Sequence, residues 1–212
     1  MNKKYTLILM SYWRTAVDWF VTELRRRNVQ KIAYIVNAER QKFRDVPDFV
    51  LYDRDALVQA GFEVDVMDLE AAENLEERLS RADLIYVRGG NTFDLLDSAR
   101  NSGFDKLSPT LLKQGKIYAG SSAGSILVAP SIEITENDFM PDCNNAGLTD
   151  KAGLNLIDTA VFPHYLDEYK EKLDKLISDL GITYPVTRLH DNEVLVLENG
   201  TEKIIDITEA AK

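Results

Sequence analysis

Short apolar runs at positions 5–10, 31–36, 62–67, 83–87 and 116–119 are separated by segments whose apolar residues repeat with helical period. Alternation of this kind predicts strands linked by helical crossovers, hence a largely parallel sheet. Between the first two runs, Val17, Phe20, Val21 and Leu24 recur at three- and four-residue steps. Arg25, Arg26 and Arg27 then close the segment as suits a helix C-terminus, so they read as solvated capping and not as a binding patch. Segment 47–61 repeats the scheme, with Pro47 early in the helix and Gly61 as its stop.

Beyond Ala129 the regularity fades. Residues 130–153 carry Pro130, Pro141, Asn144, Asn145, Gly147 and Gly153, which predicts a long loop with a short hairpin. Connections of that length are more often functional or mobile than idle. A strand is expected at 155–162, ending at Pro163-His164, and Leu166, Tyr169, Leu173, Leu176, Ile177 and Leu180 then mark an amphipathic helix stopped by Gly181. Segments 193–198 and 202–208 flank Asn199-Gly200, a strong two-residue hairpin signal. The predicted fold class is α/β, a three-layer α/β/α arrangement with a largely parallel central sheet and a C-terminal antiparallel hairpin. One domain spanning 1–212 is expected, with ligands at the C-terminal ends of the parallel strands.

Composition narrows the partners. A 45% apolar and 28% charged chain is ordinary for a soluble globular protein, and a net charge of -10 disfavours nucleic acid or an anionic membrane as partner. The single Cys143 cannot form an internal disulfide, which suggests a reducing compartment. Met1-Asn2-Lys3-Lys4 resembles the charged start of a signal peptide, but the apolar run after it is too short, and no run approaches membrane-spanning length. A cytoplasmic protein is the expectation.

The richest chemical signal is Gly120-Ser121-Ser122-Ala123-Gly124, a GxSxG pattern directly after the run 116–119. Small residues let the backbone turn sharply and hold the middle serine up for attack. A helix over 123–129 would place Ser122 at its N-terminus, where free N–H groups stabilise an oxyanion. On the strand assignment, three loops share one edge: Gly89-Gly90-Asn91-Thr92, the Ser122 turn, and Pro163-His164. A serine needs a base, and the chain has two histidines, His164 and His190. Position favours His164, where a strand gives way to a loop. Asp191, Asp138 and Glu136 are candidates for the orienting carboxylate, and spacing does not choose among them. Gly89-Gly90 reads as a tight turn admitting Asn91 or Thr92 as a helix cap, as a backbone donor to substrate, or as both. No P-loop lysine, GxGxxG motif or zinc-ligand spacing is present, so no cofactor or metal is expected. Competing readings are an α/β-hydrolase-like esterase using His190 and a non-catalytic binding module.

Gly89-Gly90-Asn91-Thr92-Phe93 with Leu95-Leu96, then Gly120 to Ser125, then Pro163-His164, resemble in order and spacing the dipeptidase E (aspartyl dipeptidase) family of serine peptidases, related to cyanophycinases. The resemblance covers roughly residues 5–200. It implies a fold like that of class I glutamine amidotransferases (flavodoxin-like), serine replacing their cysteine, and a small peptide as substrate. It implies Ser122 as nucleophile, His164 as general base, and the N–H groups of Gly90 and Ala123 as oxyanion hole. Asp191 matches the family's acid, a glutamate in the aspartyl dipeptidase. Asp138 matches a second assigned aspartate only if one residue is inserted. The family's aspartate-recognising arginine has no counterpart in 167–175, leaving Arg88, Arg188, Lys170 or Lys172 as substitutes and aspartyl preference open.

Overall fold

A computed structural model describes residues 5–39 and 51–210 of the chain. Each of the five apolar runs is a strand: β1 (Thr6–Met10), β2 (Lys31–Ile35), β3 (Glu63–Met67), β4 (Leu84–Val87) and β5 (Ile117–Ser121). They pair in parallel in the order β3-β2-β4-β5-β1. Alternate residues serve opposite layers. Leu7 and Leu9 pack with Ile85, Val87 and Phe93 on one face, whereas Ile8 and Met10 pack with Phe20, Tyr34 and Tyr86 on the other. Burial on both faces is why β1, β2, β4 and β5 read as near-continuous apolar runs, whereas β3, at the sheet edge, alternates exposed Glu63 and Asp65 with half-buried Val64 and Val66. Helices α1 (Trp13–Arg26) and α2 (Tyr52–Gln59) cover one face, and α3 (Leu75–Arg81), α4 (Thr92–Ser102) and α5 (Phe104–Lys113) the other. The layers are those expected. The predicted start of the second helix at Pro47 lies outside the described residues.

The arginine run is structural. Arg25 donates to the Ala60 carbonyl at 3.0 Å, Arg26 pairs with Glu23, and Arg27 bonds both Glu23 and Glu198 at 2.7 Å.

After β5, α6 (Ala123–Ile126) is a single turn, shorter than the expected 123–129. The expected hairpin within 130–153 reduces to one antiparallel bridge between Ser131 and Ala152. The strand expected at 155–162 shrinks to β6 (Ala160–Phe162), which pairs in parallel with β7 (Val186–Arg188) in a separate two-stranded sheet. The reason is local: Asn155 is left-handed (φ 50°), and the N–H groups of Leu154, Asn155 and Leu156 bond carbonyls of Leu127, Ala129 and Val128. Leu154, Leu156 and Ile157 are apolar because they are buried there, outside any ladder. His164 therefore follows a strand of the small sheet, and not of the central one. A 3₁₀ turn, Asp167–Tyr169, leads into α7 (Lys170–Asp179), and Gly181 (φ 64°) ends that helical segment.

The tail forms β8 (Glu193–Glu198), antiparallel to β1, and β9 (Thr201–Asp206), antiparallel to β8. Asn199 and Gly200 have φ of 52° and 81°, the two left-handed positions of a type I′ turn. The last strand stops two residues before the expected 208 because the Asp206 carboxylate accepts the Thr208 N–H at 2.9 Å and starts α8 (Ile207–Ala210). Among the described residues no helix is long and apolar enough to cross a membrane.

Candidate active site

Ser122 stands between β5 and α6 with φ 51° and ψ −113°, a conformation that non-glycine residues avoid. Two glycines make that turn possible. A Cβ at Gly120 would lie 2.4 Å from the Gly124 carbonyl, and one at Gly124 would lie 2.1 Å from the Val87 carbonyl oxygen. The turn is also tied down. Met10 O accepts both the Ser122 N–H at 3.0 Å and the Ser125 hydroxyl at 2.8 Å, and Tyr118 donates to Gly124 O at 2.7 Å.

Sheet order then assembles the neighbours of Ser122. β1 lies between β5 and β8, with Met10 in register with both Ser121 and Val194. Ser122 follows β5, Ser11 follows β1, and Asp191 precedes the antiparallel β8, so all three meet at one end of the sheet. His164 (φ 54°) arrives from the small sheet, its Nε2 3.0 Å from Ser122 Oγ and its Nδ1 2.6 Å from Asp191 Oδ1. An ionised carboxylate can only accept, so Nδ1–H donates to Asp191 and the Nε2 lone pair accepts the Ser122 hydroxyl proton. The arrangement can take a proton from Ser122 and hold the resulting imidazolium against a carboxylate.

Ser11 was not singled out by the sequence. Its fully buried Oγ accepts the His164 N–H at 2.7 Å and lies 3.0 Å from Asp191 Oδ1 and 3.1 Å from Leu189 O, both acceptors for its single proton. A serine directly after the first strand is the only signal for it in the sequence.

The other candidates fall apart in space. Asp138 is exposed and lines a separate cavity with Phe139 and Lys172, and exposed Glu136 pairs with Lys151. His190 bonds Glu193 through Nδ1 at 3.0 Å and Asp167 through Nε2 at 3.3 Å. Burial lowers its pKa, but those two carboxylates outweigh it and hold the imidazolium above its ordinary value of 6.5. Asn91 accepts the Asp94 N–H at 2.9 Å as the cap of α4 and donates to Cys143 O at 2.8 Å. Thr92 is fully buried, and its N–H donates to Asp142 at 2.9 Å. Both hold the 142–143 loop in place and neither lines the cavities beside Ser122. Gly89 packs against Ser122, a Cβ there falling 3.0 Å from the serine Cβ, and the Ala123 N–H is the first donor of a helix, with no partner within it.

Two cavities open at Ser122, Gly90 and His164. One, about 220 Å³, has walls of Ile126, Met140, Pro141 and Phe162. The other, about 230 Å³, contains Arg14, Arg88, Glu39 and Asp53. Arg88 is paired with Glu39 at 2.6 Å and Asp53 at 3.3 Å. Burial, and then the Asp53 charge, push the Tyr34 and Tyr86 phenols behind this cluster far above their ordinary range, so both stay neutral. Among the other proposed cations, Arg188 and Lys170 pair with Asp174, and Lys172 lies over the Phe139 ring.

Residues 7–205 match Peptidase family S51. An uncharacterized peptidase of Pasteurella multocida is 33% identical over 203 residues, which are 94% of this chain and 96% of that one. Peptidase E of Streptomyces coelicolor is 35% identical over 114 residues, 54% of this chain and 44% of its own. A crystal structure from Listeria monocytogenes EGD-e, provisionally designated Peptidase E, superposes with a TM-score of 0.78 at 27% identity, covering 95% of this chain and 98% of that one.

Proposed function

The chain belongs to peptidase family S51, and from that premise we propose a serine peptidase that cleaves dipeptides or short peptides through an acyl-enzyme on Ser122. One observation carries the reading: an unbroken hydrogen-bond chain from Ser122 to His164 to Asp191, mounted on a strained turn. As Ser122 Oγ attacks the scissile carbonyl carbon, its proton passes to His164 Nε2, and Asp191 stabilises the imidazolium while remaining ionised. The carbonyl oxygen gains the charge and is met by the N–H groups of Gly90 and Ala123. When the C–N bond breaks, His164 gives the proton to the leaving amine. Water then repeats the sequence on the ester and restores Ser122.

The test is a purified Ser122→Ala variant on a dipeptide panel, scored by release of free amine. A loss of several orders of magnitude is expected, because the three side chains act as a unit. Wild-type turnover by the variant refutes the mechanism. Labelling of Ser122 in the wild type by a fluorophosphonate, absent in His164→Ala, is the independent check.

A further inference from the structure

The two cavities beside Ser122 differ in charge, and the difference gives the substrate a direction. In the cavity walled by Ile126, Met140, Pro141 and Phe162, the polar groups are nearly all spent. Asn137 donates to Ile134 O and Met140 O and accepts from the N–H groups of Phe139 and Met140. The Thr135 hydroxyl donates to Ile132 O at 2.8 Å. Asp142 is different. One of its oxygens accepts the Thr92 N–H at 2.9 Å, and a carboxylate offers about four acceptor positions, so capacity remains. No lysine or arginine lines this cavity among the described residues. Across Ser122, Arg14 and Arg88 stand in the other cavity, where Glu39 and Asp53 are engaged by Arg88.

Resting on the serine peptidase reading above, we propose that the apolar cavity takes the N-terminal residue of the substrate, with an uncharged apolar side chain and its α-ammonium on Asp142. At about 220 Å³ the space falls below the roughly 300 Å³ at which sites for drug-sized ligands begin, which suits a single residue. An aspartate or glutamate side chain there meets Asp142 and no cation, so its charge is desolvated without a partner. The chain is thus a peptidase for neutral N-terminal residues, and the side of the site that holds Arg14 receives the substrate's carboxylate end.

The experiment measures kcat/KM for X-Ala dipeptides with X as Leu, Met, Ala or Asp, together with the N-acetylated Leu and Met forms. Leu and Met should exceed Asp by at least about 100-fold, and acetylation should cost about tenfold or more, the loss of a hydrogen bond to a charged group. Asp142→Asn keeps an acceptor for the Thr92 N–H while removing the charge. It should raise KM for the free dipeptides about tenfold and erase their advantage over the acetylated ones. Preference for Asp, or an unchanged free-to-acetylated ratio in Asp142→Asn, overturns the proposal. A preference for Asp-Ala whose turnover disappears in Ser122→Ala overturns the specificity alone. Cleavage that survives Ser122→Ala, or no cleavage of any member, removes the serine peptidase reading and this proposal with it.

Discussion

Replacing Ser11 by alanine removes one oxygen atom and touches both partners of Ser122. The oxygen is fully buried, accepts the His164 N–H at 2.7 Å and lies 3.0 Å from the Asp191 carboxylate. Without it the N–H that holds His164 in its left-handed conformation has no acceptor in the Ser11 side chain, a desolvation cost of about 1–3 kcal/mol. A hydrogen bond to a carboxylate is worth about 1.5–3 kcal/mol, and since one hydroxyl serves both contacts the terms overlap and do not sum. Unfolding free energy should fall by about 2–3 kcal/mol, read as a lower urea midpoint at unchanged slope. Loosening of His164 and Asp191 by about 1.5–3 kcal/mol in the transition state should lower kcat about 10- to 100-fold. KM should stay within about twofold, because Ser11 lines neither cavity beside Ser122. The assay is steady-state dipeptide hydrolysis at a temperature where the variant is folded by circular dichroism. A kcat within twofold of wild type refutes the assignment of Ser11 as a positioning residue. So does a change confined to KM.

On the proposed mechanism, Asp191→Asn removes the carboxylate bonded to His164 Nδ1 that would stabilise the imidazolium, so kcat at neutral pH should fall about 10³- to 10⁴-fold, measured by dipeptide hydrolysis, with the fold intact. Gly124→Ala drives a methyl to within 2.1 Å of the Val87 carbonyl oxygen, and the overpacking should cost about 1–3 kcal/mol, seen as a melting temperature lower by about 2–12 °C. Arg27→Gln tests a pH dependence: the Arg27 hydrogen bond is the largest influence holding Glu198 below its ordinary 4.5. A depressed carboxylate stabilises the fold above the unfolded pKa and loses that contribution as pH falls through the folded one. The Glu198 part of the variant's loss should therefore be at most about 1 kcal/mol at pH 7, since Glu198 is 44% exposed and screened, and that part should shrink below pH 4.5 in denaturant titrations.

Most of the central sheet was legible from the chain. Runs such as Leu7 to Met10 are apolar at every position because both faces are buried, and a continuous run flanked by helical periods has few other meanings. The stretch 155–162 misled for the same reason: Leu156 and Ile157 are buried against the chain after α6, and apolar content does not reveal which surface covers it. At the site, Ser122 was visible because a sharp turn needs small residues within five positions, all local. Asn91 was visible, with Thr92, as a candidate cap after the Gly89-Gly90 turn, but its bond to Cys143 was not.

By itself, then, the sequence determined the five parallel strands, the small-residue serine turn and the Asn199-Gly200 hairpin, since each depends on steric preferences and burial patterns over a few consecutive residues. It left three acids and two histidines in play. The tertiary structure separated them through strand order: with β1 between β5 and an antiparallel β8, residues 11, 122 and 191 share one end of the sheet. A hydrogen bond of 2.6 Å between His164 and Asp191, 27 positions apart, depends on that order and on the small sheet that carries His164, and no local propensity encodes it.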